Sequence, residues 1–121
     1  MNNSDPEKIA WQESNRAALT ARLDFALNAE DDTLFTEEWN GHFVAVTKEE
    51  NSLRLWLIDQ KADDTDWVQS ILPLANPLFL PMSYTQAMML ALIWQPDPKQ
   101  IFVTGLGGGG LATVLHHYLW Q

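Results

Sequence analysis

Cysteine is missing from this sequence of 121 residues. Disulfide bonds, thiolate catalysis and cysteine-ligated zinc sites are therefore excluded, and the absence is compatible with a reducing compartment. The first residues, MNNSDPEK, also lack the basic and then apolar layout of a secretory signal peptide. We therefore expect a cytoplasmic protein.

Positive charge is scarce, because 7 Lys and Arg residues face 16 Asp and Glu residues and the net charge is −9. A nucleic-acid-binding protein needs a basic patch that neutralises phosphates, so this composition predicts no nucleic-acid partner. The acidic excess lies in residues 1–66, which hold 15 acidic and 6 basic side chains. We interpret that excess as a solvated surface that keeps the protein soluble.

Charge of either sign is nearly absent from the C-terminal half, residues 67–121, where only Asp97 and Lys99 are charged. Prolines interrupt this half, and its longest proline-free apolar run, residues 82–95, is shorter than the about 20 residues of a membrane-spanning helix. The sequence therefore predicts no membrane segment. Because so few charges cannot easily cover the surface of 55 residues, we expect a homo-oligomer formed through this half.

The first two of three predicted domains are a helical segment (residues 1–32) and a small antiparallel β domain (residues 33–81). Ser4 and Glu7 have the spacing of a capping box, and a loose apolar stripe favours a helix over about residues 6–29. The pattern then changes to period two, and Asn40-Gly41 is a strong hairpin signal. The expected elements are strands at 34–39, 42–47 and 53–58, a polar turn at 48–52, an acidic loop at 61–66, a short fourth strand at 66–72 and an extended segment at 73–81.

The third predicted domain, residues 82–121, combines a helix with a truncated Rossmann-like βα unit. Residues 83–86 form a second capping box, and the helix that they open is apolar nearly all round up to about Trp94, which predicts burial. Four uncharged residues, 101–104, predict a short buried strand. A glycine turn and a helical pattern from Leu111 follow.

The glycine turn fits the pattern G-x-G-x-x-G at Gly105, Gly107 and Gly110, in the order of strand, turn and helix that this pattern requires. Glycine permits a positive φ and lets a ligand approach the backbone without meeting a Cβ atom. The helix that follows offers unpaired N–H groups and the positive end of its dipole to a polar or anionic group. The alternative is a tight turn between strand and helix that binds no ligand.

Other candidate chemistry is weak, and we predict no catalytic residue and no metal site. His116 and His117 point about 100° apart on a helix, so they cannot serve one metal ion, and we expect one packed and one exposed ring. The acidic pairs are neighbours in sequence only, whereas a catalytic dyad needs two carboxylates on one face of a cleft. These pairs are Glu37-Glu38, Glu49-Glu50 and Asp63-Asp64.

The order of these segments resembles spermidine-synthase-like proteins, the aminopropyltransferase branch of the S-adenosylmethionine methyltransferase fold. The resemblance covers roughly residues 43–119 and is strongest over residues 84–115, YTQAMMLALIWQPDPKQIFVTGLGGGGLATVL. It implies an α+β fold in which an N-terminal helix and an antiparallel β-hairpin domain precede the first strand–glycine loop–helix unit of a methyltransferase-like Rossmann sheet. The strand at residues 101–104 would then be a lone parallel strand with both edges unpaired. We expect another copy of the chain or the hairpin strands to cover these edges.

The resemblance also implies roles for single residues. The loop that contains Gly105, Gly107, Gly108 and Gly109 would bind S-adenosylmethionine or its decarboxylated form, and Gln69 would lie near the amino-acid end of that ligand. Tyr84 matches a family tyrosine that lines the acceptor pocket. Gly108 differs from the family pattern, because spermidine synthases proper often carry an acidic residue at this position. Gln69 and Tyr84 also lie further apart than in those enzymes, a spacing closer to a broader bacterial group that includes methyltransferases.

The function implied is that of the N-terminal part of a spermidine-synthase-like protein, ancestrally binding an adenosyl donor for aminopropyl or methyl transfer. The acidic residue that contacts the ribose and the catalytic aspartates have no counterpart, so we expect the chain not to be catalytically complete. The alternative is a non-enzymatic, truncated oligomerisation or interaction module. Nicotinamide dinucleotide binding requires an acidic residue about 20 residues beyond the glycines, and no such residue follows.

Overall fold

A computed structural model describes residues 5–59 and 67–119, and these residues form an α+β fold, as the sequence predicts. The predicted acidic loop at 61–66 lies outside the described residues. Five helices and four strands occur in the described part of the chain. They are α1 (Pro6–Arg22), α2 (Asp24–Asn28), β1 (Thr33–Trp39), β2 (His42–Glu49), β3 (Ser52–Asp59), β4 (Trp67–Pro73), α3 (Ser83–Met89), α4 (Ala91–Trp94) and α5 (Gly110–Leu119).

The N-cap of the first helix lies one residue later than the sequence predicts. Asp5 is the N-cap of α1, and its carboxylate accepts a hydrogen bond of 3.0 Å from the backbone N–H of Glu7. Ser4, the predicted cap, lies outside the described residues. The single helix predicted over residues 6–29 is also wrong, because it divides at Leu23 into α1 and α2. The shorter α2 carries Ala26, one of the buried residues of the core.

The four strands form one antiparallel sheet in the order β1-β2-β3-β4, which confirms the predicted hairpins and the short fourth strand. Asn40 and Gly41 form the first turn with φ values of 51° and 79°, so both residues have the left-handed conformation that a two-residue hairpin favours. The second turn is tighter than predicted. Lys48 and Glu49 pair with β3 instead of entering the turn, which leaves Glu50 and Asn51 to connect the strands.

One face of the sheet packs against the helices. Val46, Leu55 and Ser70 occupy paired positions on this face, because directly opposed residues of antiparallel strands point to the same side. Lys48 also lies on this face and is buried, and its ammonium group donates hydrogen bonds to the carbonyl oxygens of Leu27, at 3.3 Å, and Ala29. The C-terminal carbonyl groups of α2 are thereby satisfied by a buried cation.

The helix predicted over residues 83–94 differs from the structure in three respects. It divides at Leu90 into α3 and α4, and its N-cap is Met82, which makes no capping hydrogen bond through its side chain, so the second capping box is wrong. The predicted burial is also wrong, because Ile93 is 71% exposed and Trp94 is 78% exposed. Apolar side chains of a helix are buried only where a neighbouring element covers them, and no described element covers this side of α4.

The predicted strand at residues 101–104 is also wrong. The segment has no strand pairing with any described residue, and Phe102 is 92% exposed. The predicted pairing with the hairpin strands is therefore not present, because β4 forms the edge of the sheet. A buried strand requires a neighbour that accepts its ladder of hydrogen bonds, and the described residues provide none for this segment.

The last helix, α5, packs against α1 through its two histidines. His117 is 2% exposed and His116 is exposed, so the prediction of one packed and one exposed ring is confirmed. The side-chain nitrogen of Asn15 lies 2.9 Å from Nδ1 of His117, and the side-chain nitrogen of Gln12 donates to the carbonyl oxygen of His117 over 3.2 Å. The ring of Trp11 contacts both imidazoles, with centroid distances of 5.2 Å to His116 and 5.9 Å to His117.

Residues 5–59 and 67–119 include no helix that is long and apolar enough to cross a membrane. Nor do the described side chains bring three histidine or carboxylate groups together in a way that could hold a metal ion.

Candidate functional site

A cavity of about 580 Å³ lies between β4, the two short helices α3 and α4, the extended segment 101–104, the glycine loop and α5. Its volume is within the range of small-molecule sites, which is roughly 300–1,000 Å³. Among the predicted site residues, Gln69, Tyr84, Gly105, Gly107 and Gly108 line it. Three separate stretches of sequence therefore meet at one concave surface.

The glycine loop owes its shape to backbone angles that favour glycine. The φ angles of Gly105, Gly107 and Gly109 are 80°, 56° and 76°, so all three residues occupy the left-handed region. The N–H of Gly109 donates to the carbonyl oxygen of Leu106 over 3.0 Å and closes the turn. The carbonyl oxygen of Gly109 accepts a bond of 2.9 Å from the N–H of Thr113 and so begins the hydrogen bonding of α5.

Gly108 lies against β4. A Cβ atom at this position would lie 2.7 Å from Oγ and 2.8 Å from Cβ of Ser70. Both distances are shorter than a non-bonded contact of a Cβ atom allows. Ser70 therefore occupies the space that a side chain at position 108 would need. In this conformation of the loop, the acidic residue that spermidine synthases proper often carry at this position would not fit.

Gln69 lies in an irregularity of β4 that the sequence did not reveal. Leu55 of β3 pairs with Ser70 and Trp56 pairs with Val68, so Gln69 is the extra residue of a β-bulge. Its carbonyl oxygen accepts a hydrogen bond of 3.3 Å from the hydroxyl group of Tyr84, and a Cβ atom on Gly107 would lie 3.9 Å from the same oxygen. A bulge often redirects a residue toward a binding site, and here it brings Gln69, Tyr84 and Gly107 together.

The predicted site residues are thus close to one another, with one partial exception. Gly109 shapes the loop but does not line the cavity, whereas Gly105, Gly107 and Gly108 do. Sequence reasoning missed several polar and apolar residues on the walls, of which the main ones are Ser70, Thr85, Met88, Leu92 and Gln95. The helical period could have indicated Met88, Leu92 and Gln95, because they follow Tyr84 at steps of three or four positions and so share its face. Ser70 lies on β4, where that period gives no signal.

His117 has a lowered pKa, and its side chain lies outside the cavity. Burial lowers its pKa from the usual value of 6.5, and the positive charge of Arg16 and the nearby His116 lower it further. The contact with Asn15 agrees with a neutral ring, because an amide N–H group donates to Nδ1 only while that nitrogen carries no proton. The ring therefore belongs to the packing of α5 on α1.

The chain is similar in part to the polyamine aminopropyltransferase of Chromobacterium violaceum, with 44% identity over 55 residues. The matched region is 46% of this chain and 21% of that protein, so the match spans about a fifth of the length of the relative. No protein-family model matches the chain. No solved structure matches it either.

Proposed function

We propose that the chain is the N-terminal part of a spermidine-synthase-like protein and that its cavity binds the adenosyl group of S-adenosylmethionine or decarboxylated S-adenosylmethionine. The observation that carries the proposal is the meeting of the glycine loop, Gln69 and Tyr84 around one cavity of about 580 Å³. The partial similarity to a polyamine aminopropyltransferase supports the family. In this proposal, the glycine loop and α5 are the turn and helix of a methyltransferase-like unit.

The glycine loop fits an adenosyl ligand because it presents bare backbone to the cavity. Gly105 has open space where its Cβ atom would be, and Gly107 has only one atom there, at 3.9 Å. A flat nucleoside can therefore approach the main chain closely. Gln69 would bind the amino-acid end of the donor, and Tyr84 would line the pocket of the group that receives the aminopropyl or methyl group. S-Adenosylmethionine would supply a methyl group, and its decarboxylated form an aminopropyl group.

The proposal is tested by titration calorimetry with both donors on the wild-type chain and on two matched glycine variants. Gly105 and Gly41 have φ angles of 80° and 79°, and a Cβ atom on either meets nothing within 4 Å. Gly105→Ala and Gly41→Ala therefore impose the same backbone strain, about 1 kcal/mol, at two different places. Of these two glycines, Gly105 lines the cavity and Gly41 does not.

We expect the wild type and Gly41→Ala to bind a donor with equal affinity, and we expect Gly105→Ala to bind at least about tenfold more weakly, a difference of 1.4 kcal/mol. The absence of binding by the wild type with either donor would contradict the proposal. Equal loss of affinity in the two variants would also contradict it, since the effect would then come from general strain.

A second candidate function is self-association as a non-enzymatic module, and the exposed apolar side chains of the C-terminal half favour it. Trp94, Phe102 and Leu106 are large and exposed in a half that carries only two charged residues. Large exposed apolar areas of soluble proteins often mark interaction surfaces. We propose a homo-oligomer formed through this half, located in the cytoplasm. The two candidate functions share residues, because Phe102 and Leu106 also line the cavity.

A further inference from the structure

The cavity wall contains no charged side chain among residues 5–59 and 67–119. Its polar groups are hydroxyl groups (Ser70, Tyr84, Thr85 and Thr104), amides (Gln69 and Gln95) and main-chain atoms of the glycine loop, and the remaining wall is largely apolar. The nearest charges in the sequence, Asp97 and Lys99, do not line the cavity and pair with each other at 3.0 Å. The described wall therefore offers no counter-ion to a charged ligand.

An uncharged wall makes the free energy of binding less favourable for a charged ligand than for a neutral one. A charged group that leaves water without a partner loses solvation that the site does not replace. Uncharged nucleosides lose much less, and hydroxyl, amide and main-chain groups can satisfy the edges of their bases and sugars. The first residue of α5, Gly110, also lines the cavity, so the positive end of that helix dipole opposes a cation further.

We infer that this cavity binds uncharged thioether nucleosides more tightly than the cationic sulfonium donors. The inference rests on the proposed function, because it takes the cavity as an adenosyl site. It assigns to the described residues the recognition of the base, the sugar and a neutral sulfur atom. Gln69 offers the tail only a neutral amide. A counter-ion for the charge of the tail, and with it the choice between aminopropyl and methyl transfer, belongs to groups outside the described wall.

The test is a series of calorimetric titrations with three ligands that share an adenosyl group attached to sulfur and differ in charge. 5′-Methylthioadenosine is neutral, S-adenosylmethionine has two positive charges and one negative charge, and decarboxylated S-adenosylmethionine has two positive charges. We expect affinity to fall in that order, with at least about a tenfold difference between the first and the last. We also expect the affinity for the neutral ligand to be independent of salt concentration, because no ion pair contributes to it.

The outcomes separate this inference from the proposed function. If none of the three ligands binds, the proposed function is wrong and the inference is overturned with it. If decarboxylated S-adenosylmethionine binds as tightly as methylthioadenosine or more tightly, the inference is overturned and the proposed function stands.

A matched pair of variants tests the electrostatic cause. Gln95 and Gln100 are both exposed, but only Gln95 lines the cavity. Gln95→Glu adds a carboxylate to the wall without a change of shape, and we expect it to improve binding of decarboxylated S-adenosylmethionine relative to methylthioadenosine by about fivefold or more. Gln100→Glu adds the same charge elsewhere and should leave the ratio of the two affinities unchanged. If Gln95→Glu does not change this ratio, or if both variants change it equally, the inference is contradicted.

Discussion

Gly108 is the residue at which the glycine loop has least room. Because a methyl group there would lie 2.7 Å from Oγ and 2.8 Å from Cβ of Ser70, Gly108→Ala forces the loop away from β4. We expect the free energy of unfolding to fall by about 1–3 kcal/mol, the usual cost of an overpacked site. Urea denaturation followed by tryptophan fluorescence measures this change.

Gly110 provides the control, since its Cβ atom would lie 3.8 Å from the nearest atom, a methyl carbon of Leu80. Gly110→Ala should be neutral or stabilising by up to about 1 kcal/mol, because alanine favours the helix that begins there. Ser70→Gly in the Gly108→Ala background should restore stability. If Gly108→Ala were as stable as the wild type, the close packing of the loop on β4 would be wrong.

His117 makes the stability of the chain depend on pH. Since its folded pKa is lowered, the unfolded chain takes up the proton first as the pH falls. The free energy of unfolding should therefore decrease below about pH 6.5 and stop decreasing, for this group, once the pH is below the folded pKa. His117→Gln should show a smaller decrease between pH 7 and 5, and His116→Gln, at the exposed ring, should retain the wild-type slope. The same slope in all three proteins would contradict the buried neutral ring.

At the scale of elements, the antiparallel sheet could be predicted from sequence and the surroundings of the glycine loop could not. Alternation of apolar residues and the Asn40-Gly41 turn determine the hairpins locally, so β1, β2 and β3 were predicted closely. The bulge at Gln69 leaves no mark in the hydrophobic pattern, because it shifts the pairing by one residue without a change in composition. The breaks at Leu23 and Leu90 likewise occur without proline or glycine.

The segment of residues 101–104 shows why a short apolar run is ambiguous. Its residues favour a strand, but a strand forms only where a neighbour pairs with it. The positive φ angles of the glycine loop could be predicted from the sequence, because that backbone geometry is local and favours glycine. Gln69 and Tyr84 line the same cavity, a proximity that their spacing in sequence could not predict and that only the resemblance indicated.

Hydrogen exchange of the amides distinguishes a paired from an unpaired segment. In a sample dilute enough to be monomeric, we expect the amides of residues 101–104 to exchange nearly as fast as those of an unstructured peptide, because no backbone partner for them occurs among the described residues. The amides at the paired positions of β2 and β3 should be strongly protected. Equal protection of the two regions would show that residues 101–104 form a strand after all.

At the scale of the whole molecule, charge is divided unevenly between two halves. The acidic half repels its own copies, whereas the C-terminal half, with one positive and one negative residue, permits close association. Phe102 is the most exposed large apolar residue of the described chain. We therefore expect an oligomer at micromolar concentration in sedimentation velocity, and we expect Phe102→Asp to dissociate it.

The matched control for this experiment is Phe25→Asp, which changes an exposed phenylalanine of α2 in the acidic half. This variant should sediment as the wild type does. A wild-type chain that sediments as a stable folded monomer would contradict the proposed oligomer. Dissociation by Phe25→Asp alone would place the interface on the other half of the molecule.

The most direct measurement of adenosyl binding at the glycine loop is an amide chemical-shift titration of the labelled chain with 5′-methylthioadenosine. We expect the amides of Gly105, Gly107 and Gly108, together with those of Gln69 and Tyr84, to shift and saturate with one dissociation constant, while Gly41 stays unchanged. No saturable shift at the glycine loop, or shifts confined to residues away from the cavity, would contradict the proposal that these glycines hold an adenosyl ligand.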